Sequence, residues 1–141
     1  MNSKKEKDLC DKFNKHKPKF IRLLGGAVGE VSFHPPSCIY NFDLCKDFCH
    51  SVDIVQGGFV TAMLDAAMSH SAYAIDETIL FVSTIEISTR FHTATRAGKL
   101  AATGLVRSNT YKIAFLEGQL HNEAGELTAT SQSTVKLTRK K

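Results

Sequence analysis

Apolar and polar positions repeat with two different periods along this chain, and the switch between them divides it. Residues 3–16 are charged, with Leu9, Cys10 and Phe13 at i, i+1 and i+4, which predicts a short amphipathic helix. Pro18 interrupts it, Phe20 to Leu24 is a short apolar segment, and Gly25-Gly26 breaks the chain. Residues 27–34 set Val28 and Glu30 against Ala27, Gly29, Val31 and Phe33, and read as a strand. Pro35-Pro36 marks a turn. Residues 38–44 set Cys38, Tyr40, Phe42 and Leu44 against Ile39, Asn41 and Asp43, a second strand and hairpin partner of the first. Residues 45–55 are a polar connection.

At Val55 the pattern changes. Gly57-Gly58 opens a stretch of about eighteen residues without proline or further glycine, a helix about 27 Å long. Phe59, Val60, Met63, Leu64, Ala66, Ala67, Met68, Ala72, Tyr73, Ala74 and Ile75 leave it no polar face, so it should be buried. Asp65 is the only charged residue from Gln56 to Ile75, and a carboxylate there needs a partner or a task. Four β-like runs follow. Residues 80–92 alternate Ile85, Ile87, Thr89 and Phe91 against Thr84, Glu86, Ser88 and Arg90. Residues 99–106, 111–121 and 126–137 are the others, with turns at Ala97-Gly98, 107–110 and 122–125. The order predicts an α+β domain: a short helix, two strands, one long helix, then an antiparallel meander, about five to six strands curled around the helix. One sheet layer covers one side of a helix, so the other side should meet a second copy.

Composition changes this picture little. The chain has 141 residues, 43% hydrophobic and 23% charged, enough for one domain with a core. The net charge of +4 is concentrated in the ends: Lys4, Lys5, Lys7, Lys12 and Lys15, then Arg139-Lys140-Lys141. Such ends read as solvated, and no nucleic-acid partner is expected. No apolar run reaches the ~20 residues of a membrane span, and the Lys-rich start is not a secretory signal, so a cytoplasmic protein with no membrane partner is expected. Cys10, Cys38, Cys45 and Cys49 then read as free thiols. Cys45-x-x-x-Cys49-His50 lacks a second metal-ligand pair, and no metal is expected.

The Gln56-Gly57-Gly58 opening, with Asp65 in the helix, resembles the hotdog-fold acyl-CoA thioesterases of the phenylacetate-pathway (PaaI-like) type. The resemblance spans residues 27–138, with 1–26 an N-terminal helical segment and 139–141 a basic tail. The family signature reads Asn-x-x-Gly-x-x-His-Gly-Gly, then a helix carrying Asp. Gly57, Gly58 and Asp65 match; His50 stands for the Asn, Asp53 for the Gly and Gln56 for the His. The resemblance implies a hotdog fold, a dimer and beyond it a tetramer, an acyl-CoA substrate and no cofactor.

Thioester hydrolysis needs an activated water or nucleophile and a place for the oxyanion. Backbone N–H groups at a helix start favour negative charge, which makes the Gly57 N–H the candidate oxyanion donor, with side-chain-free Gly58 allowing close approach. The Gln56 amide could also polarise the carbonyl, but an amide is neither acid nor base. Asp65 is then the candidate general base or nucleophile, and burial would raise its pKa. Gln56 and Asp65 lie nine residues apart, ~13 Å along one helix, too far to serve one carbonyl. Two antiparallel helices at a twofold axis would bring Asp65 of one copy to Gln56 and Gly57 of the other. Thr84 matches a water-orienting Ser/Thr, and His50 could hold Gln56 or the substrate. Arg90 and the turn Arg107, Ser108, Asn109 to Lys112 are candidate contacts for the CoA phosphates. A non-catalytic acyl-ligand module on the same fold is the alternative. A hydratase is disfavoured, because no Asp–His pair opens the helix.

Overall fold

The central helix forms as α3 (Gly57–Tyr73) in the computed structural model, which describes residues 3–141. Residues 1–2 of the expected N-terminal segment lie outside the described residues. Ahead of α3 come α1 (Lys4–Lys15), α2 (Lys19–Leu23), β1 (Gly26–Phe33), β2 (Pro36–Leu44) and a small hairpin, β3 (Cys49–Ser51) with β4 (Ile54–Val55). After it come β5 (Ile79–Phe91), β6 (Gly98–Asn109), β7 (Ile113–Asn122) and β8 (Leu127–Arg139). Ser3 starts α1 through a capping box with Glu6, which satisfies two helix-end donors at once. The apolar Phe20–Leu24 segment falls on α2 and its C-cap Leu24, with Ile21 and Leu24 buried.

Six strands make one antiparallel sheet in the order β1-β2-β6-β7-β8-β5. Its inner face closes on α3 through Tyr40, Ala102, Leu116, Leu120, Ala129 and Val135, all fully or nearly fully buried. Met63, Leu64 and Met68 of α3 have no exposed surface; burying each is worth about 1.5–3 kcal/mol. Helix and sheet approach closely because Gly104 faces the Ala67 carbonyl, where any side chain would collide with the helix backbone. The Met63 and Met68 side chains therefore fill core, as their spacing predicts.

Three expectations need correction. First, strict alternation in β5 puts Thr84 on the face opposite Ile87 and Phe91, but a bulge at Ile85 shifts the period. Thr84, Thr89 and Phe91 all face α3, as their contacts with Asp65, Thr61 and Gly57 show. Second, Arg107, Ser108 and Asn109 are not a turn: β6 runs on to Asn109, pairing Ser108 with Phe115 and Asn109 with Ala114. The turn is centred on 110–112, closed by the Thr110 N–H donating to the Ile113 carbonyl (2.7 Å). Third, Arg139 is no solvated tail. It ends β8 and donates through Nη1 to Asp76 (2.6 Å) and Thr78 (2.7 Å), and through Nε to the Tyr111 carbonyl (2.7 Å). Partial burial alone would push the Asp76 carboxyl up, but hydrogen bonds from Thr78 and Arg139 hold it below its ordinary value.

Candidate active site

The start of α3 is anchored before its chemistry is set. The Gln56 N–H donates to the Phe48 carbonyl (3.0 Å), and the Phe48 ring meets Phe59 edge-on at 4.9 Å. The hairpin β3–β4 is tied to the loop after β5 by an Asp53–Arg96 ion pair (2.7 Å) and by the Val55 N–H on the Thr95 carbonyl (2.8 Å). Gln56 is the N-cap: its Oε1 accepts from the Gly58 N–H at 2.8 Å. That bond fixes the amide's orientation and leaves Nε2 without a partner among the described residues. The Phe59 N–H is taken by the Gln56 carbonyl (2.9 Å). The Gly57 N–H, first in the helix, has no acceptor among the described residues. A Cβ on Gly57 would sit 3.1 Å from the Phe91 ring, a tight contact that the bare glycine backbone relieves.

Two turns further on, Asp65 faces β5. Its Oδ1 accepts from Thr84 Oγ1 (2.9 Å), with a longer contact from Ser69 Oγ (3.4 Å), while Oδ2 has no partner among the described residues. The single chain does not enclose this carboxylate as the all-round apolar helix suggests. Thr61, Asp65 and Ser69 share one half-buried side of α3, at i, i+4 and i+8. Thr61 donates to Thr89 (2.9 Å), and Thr89 meets Ser131 at 3.1 Å, so hydroxyls line the seam between α3 and the β5 edge.

Thus Asp65 and Thr84 are brought together, and Gln56, Gly57 and Gly58 together, as two separate groups on one helix. His50 stands exposed on β3, and its side chain makes no hydrogen bond among the described residues. Arg90 points away from α3, onto the outer sheet face. A depression there of about 400 Å³, lined by Ser88, Arg90, Glu117, Gln119 and Gln132, lies across the sheet from Asp65. Arg107 pairs with Glu117 at 3.3 Å, both well exposed. Lys112 lies in the turn, where its carbonyl accepts from the Leu137 N–H (2.7 Å). Ser69 escaped sequence reasoning, though its i+4 spacing from Asp65 was the available signal. Phe91, which covers Gly57, was placed on the right strand but given no role.

His70, left unassigned by the pattern, belongs to the core. A carbonyl can only accept, so Nδ1–H donates to Ala66 (2.8 Å) and Nε2 accepts from the Tyr40 hydroxyl (3.2 Å). Phe13 of α1 packs edge-on at 4.8 Å, and burial pushes the imidazole below its ordinary pKa. The four cysteines are unpaired; burial pushes the Cys10 and Cys38 thiols up, away from thiolate chemistry. Among the described residues no cluster of His, Cys, Asp or Glu could hold a metal ion, and no helix is long and apolar enough to cross a membrane.

No family model and no curated protein sequence matches the chain. Solved structures do. A phenylacetic acid degradation-related protein from Ralstonia eutropha superposes with a TM-score of 0.82 at 24% identity, over 91% of this chain and 98% of that one. A thioesterase from Haemophilus influenzae gives 0.80 at 15%, over 92% and 90%. The Escherichia coli PaaI protein, from the phenylacetic acid degradation operon, gives 0.81 at 12%, over 92% and 91%. At these identities the likeness shows the fold: this is the hotdog fold, shared with PaaI-like proteins of the thioesterase superfamily.

Proposed function

We propose that the protein is an acyl-CoA thioesterase whose site is completed at a twofold interface. The observation that carries this reading is the split geometry. A carboxylate whose Oδ2 has no partner among the described residues sits mid-helix on the half-buried side of α3, and a helix start whose Gly57 N–H has none lies two turns before it. Pairing two β5 edges antiparallel would set two α3 helices antiparallel. The Asp65–Thr84 contact and the Gly57–Phe91 contact mark the two ends. Midway between Thr84 and Phe91 lies Ile87–Ser88, so a dyad there brings each Asp65 to the partner's Gly57.

In that arrangement the Asp65 Oδ2 takes a proton from water, and the water oxygen attacks the thioester carbon. The resulting oxyanion accepts from the Gly57 N–H and the Gln56 Nε2 of the other copy. The C–S bond then breaks, the proton passes to the departing sulfur, and free acid and CoA leave. Thr84 and Ser69 hold the carboxylate while it works. Direct attack by Asp65 on the thioester uses the same geometry. For the CoA phosphates, the β6–β7 turn supplies Lys112. Strand register puts Asn109, Ala114, Val135 and Thr84 in one row, ~14 Å across three strand spacings. Arg90 and Arg107 stand on the outer sheet face, across the sheet from Asp65, and are left out of this contact. The unpaired thiols fit a reducing, cytoplasmic setting.

The test is thiol release from a panel of aryl- and medium-chain acyl-CoA thioesters. Wild type should hydrolyse part of the panel. Asp65→Ala should lose on the order of 10²- to 10⁴-fold while keeping its circular dichroism spectrum. Binding of CoA without any thiol release would favour the ligand-binding module instead.

A further inference from the structure

Away from that site, the junction of α1 and α2 concentrates positive charge. Between Asp11 and Glu30 the chain carries Lys12, Lys15, Lys17, Lys19 and Arg22 and not one acidic residue. Lys15, Lys19 and Arg22 are exposed; Lys17 donates to the Gly26 carbonyl at 3.2 Å. Asp11, one turn before Lys15 on α1, bounds the cluster; Asp43 meets the junction through its N–H, which donates to the Gly25 carbonyl, and Lys99 stands opposite it across the β2–β6 ladder.

Two large apolar side chains stand among these cations. Ile21 and Leu24 bury the inner side of α2, which turns Phe20 and Leu23, at i and i+3, outward: they are 47% and 72% exposed. Scattered exposed apolar residues are ordinary, but an adjacent aromatic–leucine pair ringed by Lys and Arg is not scattered. Leu23 cannot stack on a base, so a nucleic acid would waste it. An anionic lipid surface uses both features, with apolar tips entering the headgroup boundary and cations meeting lipid phosphates and carboxylates. No spanning helix is needed, so the missing apolar run that excluded a transmembrane protein does not bear on it.

We infer that the α1–α2 junction is a peripheral docking surface for anionic membrane. The inference stands apart from the proposed thioesterase activity. Its test is flotation of the full chain with vesicles of phosphatidylcholine alone and with about one third phosphatidylserine. The chain should float with the anionic vesicles and not with the neutral ones, and high salt should release it. Lys19→Gln with Arg22→Gln, and separately Phe20→Ser with Leu23→Ser, should each weaken binding about tenfold with unchanged circular dichroism. Equal binding to both vesicles, binding to neither, or binding untouched by both double variants would overturn the inference. So would tighter binding to a duplex DNA than to the vesicles. A change of oligomer size on Phe20→Ser with Leu23→Ser would also overturn it, because a second copy would then cover the patch.

Discussion

The sheet has two edges, and the chain treats them oppositely. At the β1 edge, α1 lies along the strand and closes it. Asn14 accepts from the Val28 N–H (2.8 Å) and donates to the Val28 carbonyl (2.9 Å), so one side-chain amide plays the part of a missing neighbour strand. Glu6 accepts from the Phe33 N–H (2.7 Å) further along. Among the described residues the β5 edge has no such cover. Phe81, Ile85 and Phe91 are 63%, 61% and 53% exposed, and Leu80 beside them is exposed too. An open apolar edge invites another chain, and proteins normally blunt one with charge or a covering element. Here covering was applied at one edge and withheld at the other. The withheld edge is the one beside Asp65, Thr84 and Gly57, which makes it the edge where the proposed second copy would pair.

The sharpest way to break this contrast is to make β5 resemble a protected edge. Ile85→Lys adds a solvated charge where apolar contact is proposed. It should leave a folded monomer by light scattering and lower thiol release about a hundredfold or more, because each half-site lacks either its base or its carbonyl donors. A dimeric, active Ile85→Lys would remove the shared-site geometry. Opening the closed edge should cost less. Asn14→Ala strands the part-buried N–H and carbonyl of Val28, about 1–3 kcal/mol. For a domain of this size that lowers Tm by about 4–12 °C. Thiol release below the melting transition should hold, since α1 lies away from Asp65. Loss of activity at unchanged Tm would mean the two edges are not independent.

Much of this was legible in the residues, for reasons that also explain what was not. Periods of two and 3.6 are local, so α1, α3 and the six sheet strands could be read from spacing. Asp65 stood out because a lone carboxylate in an apolar helix is costly. The bulge at Ile85 carries no such mark: neither glycine nor proline signals it, and it alone moved Thr84 to the face of Ile87 and Phe91. The polarity of Arg107-Ser108-Asn109 looked like a turn because an outer, exposed strand end is as polar as a loop. Arg139 misled in the same way, since its partners Asp76, Thr78 and Tyr111 are distant in sequence. Asn14 gave no signal either. Its role is set by Val28, across the α1–β1 packing, and pairings of that kind exist only once the fold does.

The gentlest probe of the contrast is acid. The Glu6 carboxylate accepts from the Ser3 and Phe33 N–H groups, and these bonds hold it below its ordinary pKa of 4.5. A depressed carboxyl contributes its stability above the unfolded value and loses it as pH falls through the folded one. The closure of the β1 edge by Glu6 is therefore intact at neutral pH and fades only below about pH 4.5. Hydrogen exchange should show this as a local event, with the Phe33 amide gaining exchange ahead of Val28, which Asn14 holds through a group that does not titrate. Glu6→Gln keeps an acceptor but removes the charge, and should make Phe33 exchange faster already at neutral pH and insensitive to acid. Simultaneous release of Phe33 and Val28 in the wild type would mean that α1 leaves the edge as one unit, with Asn14 unable to hold it alone.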